Sequence, residues 1–176
     1  MRYANLRLVN FLVLSCCGML TVGCGSDDPR TVAALNSALT ELYFAGSDNT
    51  AGFELWTTDG TAAGTVMVAD ISAGVGGSYP FYFTAFNGEY YFMADDGATG
   101  DELWKTDGTA AGTVMVKDIY PGNDDTGVYQ LMQAAGDTLY FIGNELQHGA
   151  ELWKSNGTAG GTVMVKDIYP GGNTSS

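Results

Sequence analysis

"ELWKTDGTAAGTVMVKDI" occupies residues 102–119, and nearly the same eighteen residues occur twice more. The other copies are "ELWTTDGTAAGTVMVADI" at 54–71 and "ELWKSNGTAGGTVMVKDI" at 151–168. Trp56, Trp104 and Trp153 therefore recur at intervals of 48 and 49 residues. A fixed period of this length marks stacked supersecondary units, so it governs the rest of the fold reasoning. The similarity extends upstream. "ELYFAGSD", "EYYFMADD" and "TLYFIGNE" precede the three copies, and Phe44, Phe92 and Phe141 each lie ten residues before Glu54, Glu102 and Glu151. Farther back, "FTAFNG" (83–88) matches "MQAAGD" (132–137) and, less closely, "VAALNS" (32–37). The one-residue change of period falls in "YPGNDDTGV", where a loop tolerates insertion.

Each unit reads as four short strands rich in β-branched and aromatic residues, broken by Gly, Asn and Asp. In the middle copy these are 79–86, 89–94, 102–106 and 113–120. Asn87-Gly88 is a tight-hairpin signal. "TDGTAAGT" joins the last two strands through a predicted loop of six to eight residues, opened by Asp107-Gly108. The only helical competitor is "TVAALNSALTE" (31–41), which by phase reads as the first strand of copy one. "YYFMA" is apolar at every position. Strict alternation along "TVMVKDI" places Val114, Val116 and Asp118 on one face and Met115, Lys117 and Ile119 on the other. Strands apolar on both faces need a cover on both, which stacked sheets provide.

The expectation is an all-β fold of three four-stranded antiparallel repeats of about 48 residues, bounded at 32–78, 79–126 and 127–176, with the period of a β-propeller blade. Closed propellers have about four to eight blades. Three imply an incomplete ring, a ring completed by self-association, or an open stack. The last residues, "DIYPGGNTSS", stand at the phase where the earlier copies lead into another unit, which favours a piece of a longer protein.

The N-terminus "MRYANLRLVNFLVLSCCGMLTVGCGSDDP" has a basic start at Arg2 and Arg7, then a largely apolar run over 8–22. That run suits a signal h-region and is short for a membrane span. It resembles a bacterial lipoprotein signal peptide (1–23) ending before Cys24, with a tether over 24–31. The resemblance implies a lipidated Cys24 and an extracytoplasmic protein, anchored in the outer membrane or at the cell surface, or secreted. Thr21 departs from the leucine usual three positions before that cysteine. Gly25, in place of aspartate, implies outer-membrane delivery. Cys16, Cys17 and Cys24 are the only cysteines, so the repeats hold no disulfide, thiol nucleophile or cysteine metal site.

The formal net charge is −13; without Arg2 and Arg7, 20 acids face 5 bases. That excludes a nucleic-acid partner and charge-driven binding to anionic membranes, leaving a lipid anchor as the membrane contact. Hydrophobic residues make up 45% and charged residues 15%, which excludes a disordered chain.

The pattern ELWxxDGTxxGTxxVxDI, met at all three copies, resembles the ELWxxDGT repeat of secreted bacterial proteins. The resemblance covers the chain from about residue 32 onward. It implies an extracellular, propeller-like repeat with no established catalytic activity.

Candidate site residues fall into sets. Trp56, Trp104 and Trp153 offer sugar-stacking faces, but one tryptophan per unit at one place in strand three reads as packing between units. Asp59, Asp107 and Asn156 share a loop position that fits a calcium ligand or an Asx turn, and Asn in copy three favours the turn. Asp70, Asp118 and Asp167, with Glu54, Glu102 and Glu151, are the metal candidates, with calcium as the possible ion. His148 has no second histidine to build a zinc site or relay. Catalytic pairs have to be unique, so repeated residues read as structural. The better binding candidates are the segments that differ: "SDNTAGF", "DDGATGD", "NELQHGA", "SAGVGGSYP" and "YPGNDDTGV". The expected function is a surface-anchored, non-catalytic binding or structural module that engages protein or polysaccharide through these loops. Alternatives are a secreted propeller hydrolase or lyase acting on polysaccharide, and a calcium-stabilised surface repeat. Self-association into a homo-oligomer is a further expectation.

Overall fold

Period-two apolar patterning and frequent turn residues yield eleven strands and no helix among the described residues. The computed structural model describes residues 41–48, 50–122, 127–168 and 170, with the backbone alone at 128–131. The signal peptide, the tether, Cys24 and the expected first strand of copy one lie outside them. The strands are β1 (Leu42–Gly46), β2 (Glu54–Thr58), β3 (Val66–Ala69), β4 (Phe81–Phe86), β5 (Glu89–Asp95), β6 (Asp101–Thr106), β7 (Val114–Lys117), β8 (Val128–Ala135), β9 (Thr138–Glu145), β10 (Gly149–Ser155) and β11 (Val163–Lys166).

They form three antiparallel meanders in chain order: β1-β2-β3, β4-β5-β6-β7 and β8-β9-β10-β11, here sheets one, two and three. Asn87 and Gly88 take φ of 52° and 80°, the left-handed values that a two-residue hairpin turn requires. The strand expected from residue 79 begins at Phe81, immediately after Pro80, which has no amide to give to a ladder.

The last strand of each sheet departs from strict alternation in one recurring way. Trp56 faces Met67, yet Leu55 faces Ala69, so Val68 is a bulge. Val116 occupies the same place between the Trp104–Met115 and Leu103–Lys117 pairs, and Val165 between Trp153–Met164 and Leu152–Lys166. A bulge sets two consecutive residues against one partner and re-aims the side chains beyond it. This corrects the expected face assignment. Val116 and Ile119, placed on opposite faces by alternation, lie in one buried cluster.

Two apolar layers hold the sheets together. Tyr43, Leu55 and Val68 of sheet one pack with Phe92 and Ala94 of sheet two, with Phe83 and Trp104 alongside. On the other face of sheet two, Tyr91, Met93, Leu103, Val116 and Ile119 pack with Leu139, Phe141 and Trp153 of sheet three. Central sheet two is thus covered on both faces, the reason "YYFMA" has no polar position.

Candidate functional site

The repeated motif is built into the scaffold. In the loop after β6, Asp107 Oδ1 accepts from the Thr109 amide (2.9 Å) and hydroxyl (2.7 Å), an Asx turn. Thr109 Oγ1 accepts from the Gly112 amide at 3.0 Å, and the Thr113 hydroxyl donates to the Thr109 carbonyl at 2.8 Å. Thr106 and Thr113 hydroxyls meet at 2.8 Å, and Thr106 also accepts from the Gly108 amide. A Cβ at Gly112 would stand 2.0 Å from Asp107 Oδ1, so only glycine fits there. Asp59 with Thr61, and Asn156 with Thr158, close the same turn. Asparagine keeps it because the acceptor is an oxygen in either side chain. These bonds also hold the Asp59 and Asp107 carboxyls below the usual range, the threonine hydroxyl first among the causes. Every fixed letter of DGTxxGT thereby has a structural partner.

The motif glutamates hold backbone. Glu54 accepts from the Ile71 amide (2.8 Å), the Ser78 amide (3.0 Å) and the Ser78 hydroxyl (2.6 Å). Glu102 accepts from the amides of Ile119 (2.7 Å) and Tyr120 (3.0 Å). Both carboxylates are fully buried, and each ties the chain leaving its sheet back to the third strand position. Burial pushes Glu102 up to about 7, opposed by its two amide bonds and assisted by Asp118 and Asp101. Glu151 is buried as well.

The remaining candidates are dispersed. Asp70 is exposed, while Asp118 and Asp167 are half-buried, each with a buried Oδ1 that makes no hydrogen bond. No three His, Cys, Asp or Glu among the described residues form a metal-holding group. His148 bonds Glu145 through Nδ1, and its Nε2 lies 3.9 Å from Asp167; the Glu145 bond raises its pKa. The indole nitrogens of Trp56, Trp104 and Trp153 are buried without an acceptor. Trp153 lies flat on Gly143 and stacks near Phe141, with centroids 6.4 Å apart. Trp104 and Trp153 therefore pack between sheets, while Trp56, half-buried, lies against Gly46 of its own sheet.

A different set of aromatic residues is displayed where the chain passes from sheet one to sheet two. Phe53, Tyr79 and Tyr82 are 44%, 58% and 45% exposed, large values for rings of this size. Phe53 and Tyr79 stack with centroids 5.7 Å apart at 26°, and Phe81 meets Tyr82 at 5.0 Å. Tyr79, Phe81, Ala45, Gly77, Asp95 and Asp101 line a cleft of about 490 Å³. Asp95 and Asp101 face each other across the β5–β6 pair, which puts two carboxylates beside the rings.

This display is rigidly held and strained. The Tyr79 amide donates to the Phe53 carbonyl at 3.0 Å, the Ser78 carbonyl accepts from the Asp95 amide at 3.0 Å, and the Ser78 amide is taken by Glu54. Phe53 and Gly77 add a parallel bridge. Tyr79 and Tyr82 nevertheless have φ of 45° and 56°. A bulky residue in this region costs about 1–2 kcal/mol, and such strain gathers at functional positions. β4 skips register between Phe81 and Thr84, which turns Tyr82 outward.

The segments that differ between copies hold Phe53, Tyr79, Asp95 and Asp101, whereas Phe81 and Tyr82 read as ordinary strand residues. A signal existed. Copy three has Val128, Gln130 and Leu131 where copy two has Tyr79, Phe81 and Tyr82. Comparison with family models, curated proteins and solved structures returns no match.

Proposed function

We propose that this chain is a non-catalytic binding module that holds polysaccharide at the cell surface, on a propeller-like stack of ELWxxDGT repeats. The observation that carries the reading is the cleft that sets the exposed, strained Tyr79 and its neighbour Phe81 beside Asp95 and Asp101, with Phe53 and Tyr82 packed against those two rings. Sugar rings present C–H faces that stack on aromatic rings, and hydroxyls that donate to carboxylates. A cleft with both partners, fixed in advance, suits them. The excess of acids over bases favours a neutral or amino polysaccharide over an acidic one. The repeat supplies stiffness, and segments whose residues differ between copies supply recognition. A lipid on Cys24 would hold the module at the membrane.

Native electrophoresis through gels containing neutral or amino polysaccharides tests this. Retardation by at least one polymer is expected, and Tyr79→Ala/Tyr82→Ala should abolish it, since loss of a central aromatic weakens binding by about tenfold or more. Migration unaffected by every polymer tried would contradict the reading.

A further inference from the structure

Both junctions between sheets are made alike. One sheet offers a tyrosine, a leucine and the bulge valine, and the next seats its phenylalanine and tryptophan on them. A specific contact accompanies each junction. The Tyr43 hydroxyl lies 2.8 Å from where a Cβ on Gly108 would stand, and the Tyr91 hydroxyl 2.2 Å from a Cβ on Gly157. The glycine of the DGT loop is the seat for the tyrosine of the preceding sheet.

Among the described residues, both halves of one more such junction stand uncovered. Sheet three presents Tyr140 and Leu152 half-buried, with Val165 45% and Ile168 68% exposed, where Val116 and Ile119 of sheet two are 6% and 3%. Sheet one presents Phe44 half-buried, where Phe92 and Phe141 are fully buried. No described residue lies within 4 Å of a Cβ at Gly60, the loop glycine of sheet one.

We propose that sheet three of one chain docks on sheet one of a second copy and reproduces the internal junction, with Tyr140 seated on Gly60. The two faces differ, so the contact is head-to-tail and leads to a closed ring or a linear array. A polar contact supports the match. Lys117 donates to the Thr162 carbonyl at 2.9 Å and lies 5.4 Å from the centre of the Trp153 ring. Lys166 holds the same register opposite Leu152. It would meet Thr65 and Trp56 of the second copy, setting a cation on an acidic partner.

Sedimentation of the full chain over a concentration series is the test. The wild type is expected at two chain masses or more. Val165→Lys leaves the single chain folded, because Val165 is exposed there, yet buries an unpaired ammonium in the junction. Association should weaken by more than about tenfold. Adding Met67→Glu opposite should restore it, since Met164 packs at the corresponding place of the internal junction. A wild type that sediments as a single chain throughout overturns the proposal, as does an oligomer that Val165→Lys leaves intact.

Discussion

Glu102→Ala is expected to lower the unfolding free energy by about 3–5 kcal/mol. The change leaves the Ile119 and Tyr120 amides without their acceptor in a site closed to water. Each orphaned donor costs about 1–3 kcal/mol, and the cavity left by the side chain adds to this. The loss also frees the chain as it leaves β7, the point where sheet two hands over to sheet three. A urea midpoint shifted down at unchanged slope is the expected reading. A shift of less than about 1 kcal/mol would mean that the latch adds little.

The same carboxyl sets a pH dependence. Burial lifts Glu102 to about 7 from an ordinary 4.5, so the folded chain holds this proton more tightly than the unfolded chain. Its contribution to stability is full below about 4.5 and is lost as pH rises through about 7. Glu102→Gln cannot titrate. The difference in urea midpoint between wild type and this variant should therefore change with pH between those values and level off above them. A difference that stays constant from pH 4 to pH 8 would refute the assignment.

Phe92→Ala is the second large effect, expected at about 3–5 kcal/mol. Phe92 is fully buried between sheets one and two, among Tyr43, Leu55 and Val68, and its ring lies 5.4 Å from that of Phe83 at 28°. Truncation removes the largest fully buried side chain of that layer and leaves a gap that two hydrogen-bonded sheets cannot collapse to fill. Thermal and urea unfolding should both report the loss, with near-native circular dichroism below the transition. A cost near 1 kcal/mol would show that the sheets repack easily.

The all-β class and its antiparallel strands were legible because local turn chemistry and apolar patterning agree. Asn87-Gly88 specified a turn, apolar runs specified covered strands, and Asp107 with Thr109 specified an Asx turn, all within a few residues of chain. Long-range effects were not legible. The Glu102 latch spans 17 residues to Ile119 and that of Glu54 spans 24 to Ser78, so no local pattern announces either. The bulge at Val116 reverses the face of the residues after it, and alternation alone cannot reveal it. The aromatic cleft was half visible. Its segments stood out by failing to repeat, but the register skip that exposes Tyr82 depends on how β4 lies on β5.

The measurement that bears most directly on the division between scaffold and site is calorimetric titration of a retained polysaccharide against wild type, Tyr79→Ala and Trp56→Phe. Repeated residues as scaffold and unrepeated ones as site predict binding weakened by about tenfold or more in Tyr79→Ala and kept in Trp56→Phe. Binding kept in Tyr79→Ala and lost in Trp56→Phe would place recognition in the repeat itself and contradict it.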